Sequence, residues 1–160
     1  MSTPDDVKDL FGHLMTSYPT IIGQPSDDDV KRLREMLTNL LQSIDIPGGT
    51  DSLSGLIDDP SEYVANYGHA FDPLLLPTPA YNPSIASDAT DAVRVKAERE
   101  WMATAARQRL IRATDRLGRI FLTTVAEDTW LLPLKSPTTF YNKVSLQDML
   151  HHLAASTAGL

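Results

Sequence analysis

Apolar residues recur along this chain at intervals of three and four far more consistently than at intervals of two. That spacing predicts helices and no sustained strand. In the first segment Val7, Leu10, Phe11, Leu14 and Met15 follow the period from Pro4 to about Thr16. Ser2 or Thr3 is placed to cap it, and Asp5 and Asp6 suit the positive end of the macrodipole. Tyr18-Pro19 ends it. A second helix opens at Ser26, with Val30, Leu33, Leu37, Leu40, Leu41 and Ile44 on its core face and Pro47-Gly48-Gly49 as its stop. A short helical turn carrying Leu53, Leu56 and Ile57 follows. Asp59 then caps a helix that begins at Pro60, bears Tyr63, Val64 and Tyr67 on one side and stops at Gly68.

The longest pattern runs over 93–125, with no proline and one glycine, Gly118. At about 100° per residue, Val95, Met102, Ala106, Leu110, Ala113, Leu117, Ile120, Phe121 and Val125 share one face. A second stripe of Val93, Ala97, Trp101 and Ala105 lies on a different side. A continuous helix here would be roughly 55 Å long, and Gly118 is the place for a kink. Before it, 69–87 is proline-rich and aperiodic, an extended connection with Phe71, Leu74, Leu75, Leu76 and Tyr81 to pin it across a surface. After it, Ser136-Pro137-Thr138 makes a turn, and Phe140 and Tyr141 are expected to pack inward. The final helix starts at Ser145, with a Ser145/Asp148 capping box, a Val144/Met149 staple and a stripe of Leu146, Met149, Leu150 and Leu153.

The expected fold is all-α, one domain over 1–160 organised around the long helix. Two N-terminal helices occupy 1–46, short helices and the proline-rich connection 47–87, the long helix 88–132 and the last helix 133–160. A chain of 160 residues buries enough surface to need no covalent staple.

Composition narrows the chemistry. With no cysteine there is no disulfide, zinc knuckle or thiol nucleophile. No apolar run approaches the roughly 18 to 20 residues that span a bilayer, so a soluble, cytoplasmic protein without membrane contact is expected. The net charge of −7 is uneven: residues 1–62 hold twelve acidic and four basic side chains, 88–119 five and eight. Acidic helices docking on a basic spine is one consequence, and an acidic whole argues against tight non-specific DNA binding.

Candidate sites are few. Asp27, Asp28 and Asp29 fit dipole compensation better than a calcium loop, which needs a distal bidentate Glu. His151 and His152 point about 100° apart on a helix, an awkward pair for one metal. No nucleophile-elbow, metalloprotease, phosphate-loop or dinucleotide motif occurs, so neither catalytic residues nor a cofactor are expected. Arg109, Arg112, Arg116 and Arg119, spaced 3, 4 and 3, form a stripe suited to phosphates or, on the blander reading, to ion pairs with the acidic helices and with Asp115.

Three runs add a resemblance. They are Leu53-Ser-Gly-Leu-Ile-Asp-Asp-Pro-Ser-Glu-Tyr-Val-Ala-Asn-Tyr-Gly68, Asp88-Ala-Thr-Asp-Ala-Val-Arg-Val-Lys-Ala-Glu-Arg-Glu-Trp101 and Thr139-Phe-Tyr-Asn-Lys-Val-Ser-Leu-Gln-Asp-Met-Leu-His-His-Leu153. In their order and spacing they resemble the gag-like N-terminal (capsid) region of copia-type retrotransposon polyproteins, over residues 50–153, about two thirds of the chain. The chain differs from that family in lacking the cysteines of a zinc knuckle and in stopping just after the last helix. The resemblance implies a structural protein that self-associates, with RNA as a further partner. Val93, Ala97, Trp101 and Ala105 are then the candidate self-association surface, and the Arg stripe the candidate nucleic-acid contact. The rival readings are a helical adaptor binding another protein through 71–81, a nucleic-acid-binding module and a small helical enzyme.

Overall fold

The computed structural model describes residues 3–18, 20–46, 52–71 and 90–158. Among the described residues five α-helices carry the fold: α1 (Pro4–Ser17), α2 (Asp27–Gln42), α3 (Pro60–Tyr67), α4 (Asp91–Val125) and α5 (Leu146–Ala158). A 3-10 turn at Leu53–Leu56 precedes α3, and two more follow α4 at Asp128–Trp130 and Leu132–Leu134. The chain is all-α; among the described residues the only strand-like pairing is one isolated bridge between Ser136 and Phe140. No helix among them is long and apolar enough to cross a membrane.

The N-termini of α1 and α2 are fixed by the chemistry their sequence announces. Thr3 accepts from the Asp6 N–H while the Asp6 carboxylate accepts from the Thr3 N–H at 2.9 Å, a reciprocal box. Ser26 and Asp29 repeat it on α2. The backbone N–H on each carboxylate, seconded by the cap hydroxyl, holds Asp6 and Asp29 below the usual carboxylate range. A depressed folded-state pKa stabilises above the unfolded value, near about 3.9, and that contribution is lost as pH falls through the folded value. The amide protection of the first turns of α1 and α2 is therefore expected to be constant at neutral pH and to fall below about pH 4. Ser26→Ala should cost α2 about 1 kcal/mol and remove its share of that dependence. Protection unchanged at pH 2 would show the boxes to be unformed in solution.

Four expectations are corrected here. First, α2 stops at Gln42 rather than running to Pro47, because the Ser43 hydroxyl donates to the Leu40 carbonyl at 2.6 Å and its N–H is shared among carbonyls of the last turn. Ile44 stays buried all the same. Second, Asp59 occupies the cap position of α3 without a side-chain cap bond. Its Oδ1 instead accepts from Gln147 Nε2 at 2.9 Å and lies 3.3 Å from His151 Nε2, so the carboxylate ties α3 to α5. Third, Phe140 is 56% exposed, because the bridge with Ser136 closes a tight turn that puts Phe140 at φ 54°. Lys135 Nζ lies 5.6 Å from its ring centre, and half-buried Tyr141 packs against the core instead. Fourth, Val64, expected beside Tyr63, is 44% exposed.

Helix α4 runs unbroken through Gly118 for 35 residues, about 52 Å. Gly118 marks a close approach rather than a kink: a Cβ there would stand 2.6 Å from Leu146 Cδ1 of α5. The buried side of α4 is Leu110, Ile111, Thr114, Leu117, Gly118, Phe121, Leu122 and Val125. Three members of the expected face, Val95, Met102 and Ile120, are instead 45%, 55% and 44% exposed. The reason is the direction from which partners arrive. Helix α1 packs on α4 through Phe11 and Tyr18, whose rings sit 6.3 and 6.1 Å from Phe121. Helix α5 meets α4 at Gly118 and also packs on α2. The loop after α1 is anchored to the far end of α4, where the Ile21 N–H donates to the Val125 carbonyl at 2.7 Å. The expected stripe of α5, Leu146, Met149, Leu150 and Leu153, is buried throughout.

Candidate functional site

The Arg stripe of α4 forms one wall of a groove of about 830 Å³. The opposite wall comes from the 3-10 turn and α3, and one end is closed by the entry to α5. Each wall has a local cause. Ser52 caps the 3-10 turn, its hydroxyl accepting from the Ser54 N–H, and its own N–H donates to the Tyr63 hydroxyl at 3.1 Å, locking turn to helix. Gly68 ends α3 at φ 79°, in the left-handed region that glycine enters freely, and reverses the chain. Phe71 thereby returns onto Tyr63, ring centres 5.4 Å apart, and lies so close to Gly55 that a Cβ there would meet its Cγ at 2.3 Å.

The groove is lined by both apolar and charged side chains. Leu56, Tyr63, Phe71 and Val144 supply apolar surface. Arg112 and Arg116, both exposed, line it together with Lys143 and with Asp58 from the turn. Arg119 is tied to Asp115 by an i, i+4 ion pair whose side chains are 16% and 15% exposed. That pair neutralises itself within the wall. Over the described lining there are four basic side chains against two acidic ones.

The four stripe arginines therefore divide. Arg112, Arg116 and Arg119 line the groove, and exposed Arg109 lies outside its lining. Three of the acidic groups at the starts of α1 and α2 are engaged locally, Asp6 with Thr3, Asp29 with Ser26 and Asp27 with Lys31 at 3.0 Å. Tyr63, Phe71 and Lys143 belong to the groove although no sequence signal joins them to the arginines. They come from three separate segments that only the packing of α3 and α5 brings together.

The candidate self-association residues are graded in exposure. Val93 is 51% exposed, Ala97 and Trp101 are half-buried, and Ala105 is buried at 3%. Of the segment 71–81, only Phe71 lies within the described residues, and Leu74, Leu75, Leu76 and Tyr81 fall outside them. Among the described residues no group of three or more His, Asp or Glu side chains could hold a metal ion. Compared with protein-family models, curated proteins and solved structures, the chain matches none.

Proposed function

We propose that this chain is a non-catalytic structural module that associates with copies of itself through the first half of α4, as a gag-like capsid domain would. The observation that carries the reading is the contrast between the two halves of that helix. From Asp91 to Thr104 no side chain is buried, and burial begins only at Ala105. Val95 and Met102 stand two turns apart on one side, 45% and 55% exposed. Pairs of large apolar residues on a bare helix face gain free energy by meeting another such face. A second copy is favoured as the partner by charge. Residues 91–104 carry three acidic and three basic side chains, so this stretch is neutral on a chain of −7. Two copies meeting face to face through this stretch bring no net like charge together. The resemblance in residues 50–153 supports the same reading.

The test is size in solution across concentration and salt, by sedimentation or light scattering. The protein is expected to associate as concentration rises. Replacing Val95 and Met102 together by Glu should weaken association roughly 30-fold or more, with the melting temperature unchanged because neither side chain is in the core. Trp101→Ala separates the two stripes: a fall in stability without a change in association assigns Trp101 to the monomer's own packing. A protein that stays monomeric at high concentration and low salt would end the proposal.

A further inference from the structure

We infer that the excursion between α4 and α5 is a docking surface for a second copy of this chain, with Phe140 as the ring that enters the partner. The inference rests on the reading of the chain as self-associating and adds a second kind of contact to it. Phe140 is held where neither backbone nor solvent favours it. Its φ of 54° lies in the left-handed region, which a bulky aromatic residue rarely enters, and its side chain is 56% exposed. The conformation is enforced rather than slack. Ser136 and Phe140 exchange two backbone hydrogen bonds of 2.9 Å, and the Asn142 N–H donates to the Thr139 carbonyl at 3.0 Å. The Thr138 and Thr139 N–H groups both donate to the Ser136 hydroxyl at 3.3 Å. Leu132, in the 3-10 turn that leads into this segment, is 50% exposed. Strain that keeps an aromatic ring in water is a cost to the monomer, and a rigid exposed ring is the kind of anchor that dominates protein contacts.

Charge selects the partner. Residues 129–147 carry Lys135 and Lys143 and no acidic side chain, on a chain of net charge −7. The charge beside the ring is positive, since Lys135 Nζ lies 5.6 Å from the ring centre of Phe140. The complement stands at the other end of the same chain, where residues 1–62 hold twelve acidic and four basic side chains. Asp6, Asp27 and Asp29 are engaged locally. Asp5 and Asp9 are exposed, one turn apart on the side of α1 turned away from buried Val7 and Phe11. Gly12 follows on that side, and a Cβ there would meet nothing within 4 Å, which leaves room for a ring beside the two carboxylates. Two different surfaces then meet, the excursion of one copy on α1 of the next. Such a head-to-tail contact extends, whereas like face on like face through α4 closes at two copies. Together they build assemblies larger than a dimer.

The test is made on the full chain carrying Val95→Glu and Met102→Glu, so that the α4 contact takes no part. Sedimentation at low salt is expected to show association of this protein that grows with concentration and weakens as salt rises. Adding Phe140→Asn, or Asp5→Asn together with Asp9→Lys, should each weaken that association at least about tenfold. Asparagine accepts a left-handed φ, so Phe140→Asn is expected to keep or raise the melting temperature. An equimolar mixture of the two defective proteins should pair again, one intact excursion meeting one intact α1, and stop at two copies. With Val95 and Met102 restored, Phe140→Asn should hold the chain at dimers. Association indifferent to Phe140→Asn, a mixture that does not pair, or a marked fall in melting temperature on Phe140→Asn would each overturn the inference. So would a Val95→Glu, Met102→Glu protein that stays monomeric at high concentration, an outcome that leaves the α4 reading standing wherever the unmodified chain still associates. Binding of the unmodified chain to vesicles of anionic lipid through Phe140, with no pairing of copies, would overturn it too, by assigning the ring to a membrane surface.

Discussion

Truncating Phe121 to alanine is expected to lower stability by about 3 to 5 kcal/mol, seen as a fall in melting temperature of roughly 6 to 20 °C for a chain of this size. The ring is fully buried where α1 and the residue that ends it meet α4. Phe11 of α1 approaches it at a tilt of 53°, and Tyr18 meets it nearly edge-on at 76°. Such aromatic geometry adds to the area the ring removes from water. Phe11 and Tyr18 do not freely follow the lost ring inward, because α1 packs along α4 and the chain after it is tied to α4 by the Ile21 bond to Val125. A cavity therefore remains, which places the cost above simple transfer. Denaturant titration of the variant measures this directly, and a change within a few tenths of a kcal/mol would mean that α1 does not pack on α4 in this way.

The second large effect is expected at Gly118. Its Cα faces Leu146, and an added Cβ would lie 2.6, 3.0 and 3.4 Å from the Cδ1, Cδ2 and Cγ atoms of that side chain. Leu146 is itself only 1% exposed and has little room to retreat. Gly118→Ala gains about 0.5 to 1 kcal/mol of helix preference, but overpacking typically costs about 1 to 3 kcal/mol. Gly118→Val adds two more methyl groups and loses the preference of alanine, so a net loss of roughly 2 to 4 kcal/mol is expected. The decisive measurement is a double-mutant cycle with Leu146→Ala. Once the leucine is shortened, the alanine at 118 fills space instead of colliding. Gly118→Ala should then change sign, from destabilising to stabilising, with a coupling of about 1 to 3 kcal/mol. Additive effects would show that α4 and α5 do not touch at this point.

How much of this was legible depended on how local its cause is. The cap at Thr3, the helix start at Ser26 and the glycine stop at Gly68 need only neighbours in sequence, and the structure follows them closely. The buried stripe of α5 is the same kind of signal, one face repeated over a single element. Periodicity weakens on α4, where apolar residues occur on two sides. It cannot say where along a helix the partners stop, so Val95 and Met102 read like core and stand in solvent. Likewise Asp59 carries the right side chain for a cap, yet α5, nearly ninety positions away, offers Gln147 and His151 instead. The same limit governs the groove. The spacing of Arg112, Arg116 and Arg119 was readable, whereas the apolar lining from Tyr63, Phe71 and Val144 depends on long-range packing.

The continuity of α4 has a geometric consequence. A helix without a break transmits rotation as well as translation, so the outer faces at Val95 and Met102 are phase-locked to the core faces at Leu110 and Phe121. One residue inserted between Ala105 and Leu110 would turn the outer half by about 100° and advance it about 1.5 Å. Seven inserted residues would restore its bearing to within about 20° while moving it outward by two turns. The direction in which this chain presents its bare helix is thus set by residue count alone, like the angle of a key cut along one shaft.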